Sequence, residues 1–372
     1  MAQSTLPTLL ITGSTGFLGQ TLVERLAGDY RIIGLDHSKP EGELPEHVES
    51  IETDLSSDES VSNALDKVED GIDGPIASVI HLAAYVDFSG EPSPLYDKVT
   101  VQGTKRLLDA LNARDDLDVE QFIFSSTMLI HEGTEPGKPV REDSPLQGEW
   151  AYPESKIRTE QIIHEHHGSI PVVNLRLAGV YTDHCDSIPI AHQIQRIFER
   201  RMTSHVFPGD TDHGQSYVHL EDAVDAFVRA VERRDDLPQE TDILIGEPRA
   251  ASYQELQDTI ARLAHGEDEW LTQQIPKPIA KTGAWVQDKV EEGVPGIEEP
   301  FIKPFMVDIA DDHIELDISR ARDLLGWEPQ HFVLDSVPNM IDELRRDPAA
   351  WYERHDLGQP PAKIPETEEQ PV

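Results

Sequence analysis

Short apolar runs rich in β-branched residues alternate with amphipathic stretches along the first half of the chain. The runs are TLLIT (8–12), RIIGL (31–35), VESIET (48–53), ASVIHLA (77–83), QFIFSS (121–126) and PVVNLRL (171–177). Between several of them apolar positions recur at helical spacing, in GFLGQTLVERLA (16–27), VSNALDKV (61–68), VTVQGTKRLLDALN (99–112) and ESKIRTEQIIHEHH (154–167). Strands that alternate with helices in this way pair in parallel and are covered on both faces, so the pattern predicts an α/β fold with a doubly wound parallel sheet. The order of the strands is not encoded in the pattern. After residue 177 the rhythm breaks into a helix near 188–201, isolated strands and Pro-rich turns between 275 and 305. We therefore expect a first domain over 1–177 whose core continues through parts of 214–246, and a smaller α/β domain mainly over 178–350. A polar, acidic, Pro-rich tail over 355–372 is expected to be disordered.

Charge narrows the function classes. Seventy-one acidic residues face 31 basic ones, a formal net charge of −40. Such a field repels phosphate backbones and anionic lipid, which argues against nucleic acid and membrane surfaces as partners. No run approaches the ~18 apolar residues of a membrane span, and no basic-then-apolar leader opens the chain, so a soluble cytoplasmic protein is expected. Cys185 is the only cysteine, which excludes an intrachain disulfide and any multi-cysteine metal site. The acids are spread along the chain and lysines number only eleven, the surface expected of a halophilic protein.

The first strand runs directly into TGSTGFLG, with Gly13, Gly16 and Gly19 leading into a helix. Glycines let backbone turn tightly and approach a pyrophosphate, which a helix N-terminus stabilises through its free N–H groups and dipole. The second strand ends in GLDHS, placing Asp36 seventeen residues after Gly19. A carboxylate there accepts both ribose hydroxyls of an adenosine and repels a 2′-phosphate, which points to NAD. Asp54, after the third strand, reads equally as a contact to the adenine edge or as a cap of the next helix.

In EWAYPESKIRTEQ, Tyr152 and Lys156 stand four apart where a helix is expected to begin, with Pro153 suited to its first position. Residues four apart share a helix face, so the ammonium is brought towards the phenol. A free tyrosine titrates near ~10 and is a poor base at neutral pH, but a nearby cation favours the phenolate. Alone, the pair reads as well as an interfacial tyrosine beside a solvated lysine.

The order of TGSTGFLG, HLAA (81–84), FSST (124–127), YPESK (152–156), LRLAGVY (175–181), YVHLEDA (217–223) and ISRARDLLGWEP (318–329) resembles that of the extended short-chain dehydrogenase/reductases, the NAD-dependent epimerase/dehydratase group. The likeness spans about residues 8 to 330. It implies a Rossmann-type sheet, a homodimer and an NAD site formed by Gly13, Ser14, Thr15, Gly16, Phe17, Leu18 and Gly19 with Asp36, Asp54, Leu55, Leu82, Ala83 and Ala84. It also implies Tyr152 as acid/base, Lys156 as the residue that holds the nicotinamide ribose and lowers the tyrosine pKa, and Thr127 as the catalytic hydroxyl, with Ser126 its nearest rival. Tyr85 and Asp87 are expected to border the substrate together with Ser126, Thr127 and Gln215.

Departures from the family pattern narrow the chemistry. Thr127 is followed by Met128 and Leu129 rather than the Asp-Glu pair of dehydratases, Thr100 replaces an asparagine, and the phrase after the catalytic hydroxyl ends at His131. The arginine that binds the diphosphate in epimerases is here Gln215, and the stretch ahead of ELDISRARDLLGWEP offers only Lys303. UDP- and dTDP-sugars are therefore expected to bind weakly, unless Arg196, Arg200 or Arg201 supplies charge. Metal-capable side chains in DHCDS (183–187) and HEHH (164–167) are not expected to hold a metal. The sequence thus points to an NAD-dependent oxidoreductase or epimerase acting at a hydroxyl/ketone carbon of a sugar-like small molecule. The alternatives are a hydroxysteroid- or dihydroflavonol-type reductase and a non-catalytic NAD-binding regulator or assembly factor.

Overall fold

The computed structural model describes residues 6–40, 42–87, 90–280, 307–310 and 312–361. Lys303, most of the Pro-rich 275–305 stretch and the expected tail from residue 362 onward lie outside the described residues. The six apolar runs become β1 (Thr8–Thr12), β2 (Arg31–Asp36), β3 (Val48–Glu52), β4 (Ile76–His81), β5 (Phe122–Thr127) and β6 (Val172–Leu177). Four short strands follow, β7 (Gly179–Tyr181), β8 (Val206–Pro208), β9 (Gly214–Gln215) and β10 (Tyr217–His219), before β11 (Glu240–Ile245) returns to the main sheet. The order is β11-β6-β5-β4-β1-β2-β3, with every neighbouring pair parallel. This is the Rossmann arrangement, in which strand order reverses between β1 and β4 and opens a crevice at the carboxyl ends of the strands.

Burial explains why the strands read as continuous apolar runs. Every residue of β1, β4 and β6 is buried, because helices cover both faces of the sheet. On one face, Leu22 and Leu26 of α1 (Phe17–Leu26) share a core with Ala223, Phe227 and Val231 of α6 (Leu220–Glu232). On the other face, α2 (Asp58–Gly71), α3 (Gln102–Asn112) and α4 (Ala151–His166) contribute Val61, Leu65, Leu107, Leu111 and Ile163. A third core gathers α5 (Ile188–Phe198), α7 (Tyr253–His265) and α8 (Val333–Arg346) around Ile194, Phe198, Ile260, Met340 and Tyr352. The chain then rejoins the sheet core through Ile314, Leu316, Leu325 and Trp327.

Two local expectations are corrected. The stretch 99–112 opens as a π-helical turn, Tyr96–Val101, before α3 begins. Helix α4 starts at Ala151 with Trp150 as its N-cap, so Tyr152 lies inside the first turn and Pro153 is the third helical residue rather than the first. Proline is tolerated there because first-turn N–H groups have no intrahelical acceptor to lose. No helix among the described residues is long and apolar enough to cross a membrane.

Candidate active site

The crevice beside β1 is a cleft of about 710 Å³. Gly13 leaves β1 at φ +71, and a Cβ there would come within 2.9 Å of the Ala83 nitrogen. A Cβ on Gly19 would overlap the Gly13 carbonyl oxygen, so the loop closes onto α1 only with glycine at that position. Gly16 is the N-cap of α1 and brings no side chain to its free N–H groups, which leaves the positive end of the helix to the cleft. At the end of β2, Asp36 is 5% exposed, and its carboxylate accepts the Thr15 N–H at 3.0 Å and the Ser38 N–H at 3.1 Å. An ionised carboxylate offers about four acceptor sites, so capacity remains for a ligand hydroxyl. Glycine-bounded approach, helix end and buried carboxylate together fit a dinucleotide.

Tyr85, expected beside the substrate, lines this cleft. So do most of the residues expected around the dinucleotide: Gly13, Thr15, Gly16, Phe17, Leu18, Gly19, Asp36, Asp54, Leu55, Leu82, Ala83 and Ala84. Ser14 does not. It lies buried against Gly34, where an added Cβ would strike its Oγ, and borders a separate hollow. Asp54 accepts the Ser56 N–H at 2.8 Å, and hydrogen bonds from Ser56 hold its carboxyl below the usual range. The cap of α2 is Ser57, which removes the capping role from Asp54. Sequence reasoning missed His37, Thr53, Leu95, Val99 and Ser125 in the lining. His37 follows Asp36 directly and was within reach of the motif, whereas Leu95 and Val99 come from the π-helical segment, which carries no motif.

At the far end of the cleft β5 and α4 converge. The Thr127 side chain lies beside the Tyr152 phenol and acts to lower its pKa. The Lys156 ammonium sits 5.8 Å from the centre of the Tyr152 ring and donates to the Ser125 carbonyl at 2.7 Å. Burial pushes Tyr152 up to about 12, with Thr127 acting against it. Burial also pushes Lys156 down to about 7, with Glu160 acting against it. The lowering of the tyrosine by the lysine expected from their spacing does not appear among the causes of its shift, which burial dominates.

Ser126 and Thr127 are separated by the pleat of β5. Ser126 Oγ donates to Glu160 Oε1 at 2.6 Å, away from Tyr152. Glu160 is held by Arg176 at 2.7 Å, and Arg176 also donates to Asp242 at 2.6 Å and to the Glu142 carbonyl at 2.8 Å. Arg176 is 3% exposed, so these charge-assisted bonds tie β5, α4, β6 and β11 together beneath the site. His131 joins them at 3.3 Å from Arg176, and burial, then that guanidinium, push it down to about 4. After β4, the Thr100 hydroxyl accepts the Tyr85 N–H at 2.9 Å, a bond that anchors the loop. Tyr85 donates to the Asp87 carboxylate at 3.3 Å, and Tyr96 donates to the Asp87 carbonyl at 2.8 Å.

A second cleft of about 260 Å³ is lined by Leu129, Trp150 and Gln215 among others. The Trp150 ring, part of that lining, lies 5.4 Å from the ring of Tyr152. Of the histidines in HEHH, His164 and His167 both meet Glu240, at 2.7 and 3.1 Å, His167 also bonds the Ile170 carbonyl at 2.8 Å, and His166 meets Asp109 at 2.8 Å. Cys185 is buried in the third core, and Asp186 pairs with Arg354.

Comparison with known proteins agrees with this geometry. Residues 9–246 match the model of the NAD dependent epimerase/dehydratase family, more than half of the chain. A UDP-glucose 4-epimerase of Mycolicibacterium smegmatis is 27% identical over 90% of this chain and 98% of its own length. A decarboxylating sterol-4-alpha-carboxylate 3-dehydrogenase of Candida albicans is 24% identical over 92% and 99%. Among solved structures, a Bacillus cereus UDP-glucuronic acid 4-epimerase in complex with UDP-glucuronic acid and NAD superposes with a TM-score of 0.65 at 22% identity, covering 91% of this chain and 99% of that one. The chain belongs to the NAD dependent epimerase/dehydratase family and is an NAD-dependent oxidoreductase of the extended short-chain dehydrogenase/reductase type.

Proposed function

We propose that the protein oxidises, and in reverse reduces, a ring carbon bearing a secondary hydroxyl, with Tyr152, Lys156 and Thr127 as its catalytic side chains. The observation that carries this reading is Thr127 beside the Tyr152 phenol at the end of β5, next to Ser125 of the dinucleotide cleft and Trp150 of a second cleft. NAD, when bound, supplies the hydride acceptor at its nicotinamide. Thr127 orients the substrate oxygen by a hydrogen bond, and Tyr152 takes the hydroxyl proton as hydride leaves the carbon. Lys156, fixed by the Ser125 carbonyl, provides the cation nearest the phenol. Glucose and sterol, named in the two relatives above, share a secondary ring alcohol, and this common element is what the reading assigns to the reacting end. It agrees with a sugar-like reacting ring and leaves the rest of the substrate open.

The phenol accepts a proton only once ionised. With Tyr152 raised to about 12, oxidation is expected to accelerate as pH rises from neutral, while reduction, which draws on the protonated phenol, gains nothing. The test is formation of NADH from NAD and a panel of secondary ring alcohols by wild-type protein and by Tyr152→Phe. General acid–base catalysis contributes ~10²–10⁴ in rate, so the variant is expected to lose that factor with NAD affinity unchanged. Equal turnover in the two proteins overturns the reading.

A further inference from the structure

The second cleft says more about the substrate than the reacting carbon does. It opens directly from the proposed catalytic residues: the Leu129 N–H donates to the Thr127 hydroxyl at 3.3 Å, and Trp150 leans on Tyr152. Beyond them its walls are apolar, with Val206, Phe207 and Tyr253 on one side, and Phe207 stacks on Tyr253 at 3.8 Å between ring centres. Among the described lining residues Arg196 is the single arginine or lysine and Asp312 the single carboxylate, while His213 lies against His313.

Arg196 is one of the few described arginines that meet no carboxylate, and, like Arg345, it has a shielded Nε. Arg141, Arg158, Arg176, Arg200 and Arg234 each meet a carboxylate. Arg196 Nε is shielded from solvent with no hydrogen-bond partner. A shielded donor left unsatisfied costs free energy, most of all on a charged group, so this guanidinium is prepared for an acceptor from outside the chain. A nucleoside diphosphate is a poor candidate. Among the described lining residues its two negative charges would meet one arginine and one carboxylate, with Gln215 providing no charge, and desolvated charges need paired cations.

We propose that the part of the substrate beyond the reacting ring carbon is a largely apolar body carrying one acidic or strongly accepting group, with the body between Trp150, Phe207 and Tyr253 and the acceptor on Arg196. This rests on the reading that Tyr152 marks the reacting end. The substrate class is thus an apolar ring alcohol with a single anionic substituent rather than a sugar nucleotide.

Anilinonaphthalene sulfonate, two aromatic units with one sulfonate, is a probe of that chemistry. Fluorescence titration of the NAD-saturated protein is expected to show saturable binding of one equivalent. Arg196→Gln is expected to weaken it ~10-fold or more, the loss of one charge-assisted hydrogen bond. Val206→Asp, at a wall position 39% exposed and so tolerant of change, is expected to weaken it comparably by placing a carboxylate in the apolar wall. UDP-glucose at millimolar concentration should leave the probe bound. Displacement by micromolar UDP-glucose overturns the proposal, and so does probe binding unchanged in both variants. Tyr152→Phe keeps the two readings apart: it should bind the probe as wild type does, so a failure of the catalytic reading appears as retained turnover and a failure of the cleft reading as altered probe selectivity.

Discussion

The two clefts near Tyr152, one reached through Ser125 and the other through Trp150, are built by different means. The dinucleotide cleft centres on one unbroken loop, Gly13 to Gly19, set where the strand order reverses, and it offers a ligand backbone N–H groups and one buried carboxylate. The second cleft is assembled from side chains far apart in sequence, among them Leu129, Trp150, Arg196, Phe207 and Tyr253, and its backbone matters little. A backbone-built site tolerates few residues and serves one ligand. A side-chain-built site can be respecified one residue at a time, which is how one fold comes to serve different substrates. Tyr152 and Thr127 lie near both, and changes to either cleft should have separable effects.

The largest effect is expected at these two residues. Thr127→Val keeps the shape of the side chain and removes the hydroxyl beside the phenol, and turnover should fall ~10²–10³, the range for loss of one positioned hydrogen-bond donor. Ser126→Ala, one residue earlier, removes a bond to Glu160 instead. It should cost ~1–3 kcal/mol of stability, since Glu160 loses one of its buried donors, and leave turnover within a few-fold of wild type. Steady-state rates with urea melts on both variants check this, and the opposite ranking would make Ser126 the catalytic hydroxyl.

The contrast between the clefts also explains what could be read from the sequence. Strands β1, β4, β5 and β6 were legible because burial on both faces forces continuous apolar runs, and the glycine loop was legible because backbone approach restricts residue type. The start of α4 was not, since its N-cap is Trp150 with no capping side chain to announce it. Strand β11 carries Glu240 and Asp242, which pair with His164 and Arg176, and these charges hide a strand that completes the sheet. Ser14 was assigned to the ligand by position in its motif, whereas the missing side chain of Gly34 draws it to the opposite side. The second cleft was invisible beyond Gln215 and Arg196 because its walls come together through packing of α5, β8 and α7, for which no local pattern exists.

Next in size is the choice of cofactor. Asp36 is expected to favour NAD over NADP ~10–100-fold, the worth of hydrogen bonds to a charged group together with repulsion of the 2′-phosphate. Asp36→Ala should close that gap, and calorimetric titration with each cofactor measures it. Equal affinities for the two in wild type would mean that the carboxylate is fully occupied by Thr15 and Ser38. Gly19→Ala probes the same cleft through its backbone. The added methyl has no room against the Gly13 carbonyl, so overpacking should cost ~1–3 kcal/mol of stability and weaken NAD, while leaving probe binding in the second cleft unchanged. Equal losses in both clefts would show that they do not act as separate units.

The smallest effect concerns the surface that both clefts share. With a net charge of −40, self-repulsion opposes the folded state in dilute buffer. Raising salt shortens the Debye length from ~30 Å at 0.01 M to ~3 Å at 1 M, so repulsion between exposed carboxylates is screened away while the buried Arg176–Glu160 bond is affected little. The melting temperature should therefore rise over this range. The two clefts should differ here as well: NAD carries phosphates into a negative field, so its binding should tighten on screening, whereas an apolar body held by packing should respond mainly through its single acidic group. Calorimetric melts and NAD titrations across the salt series measure both trends. A melting temperature that stays flat or falls would identify an ordinary acidic surface in place of one adapted to high salt, and would locate the dominant electrostatics in buried pairs such as Arg176–Glu160.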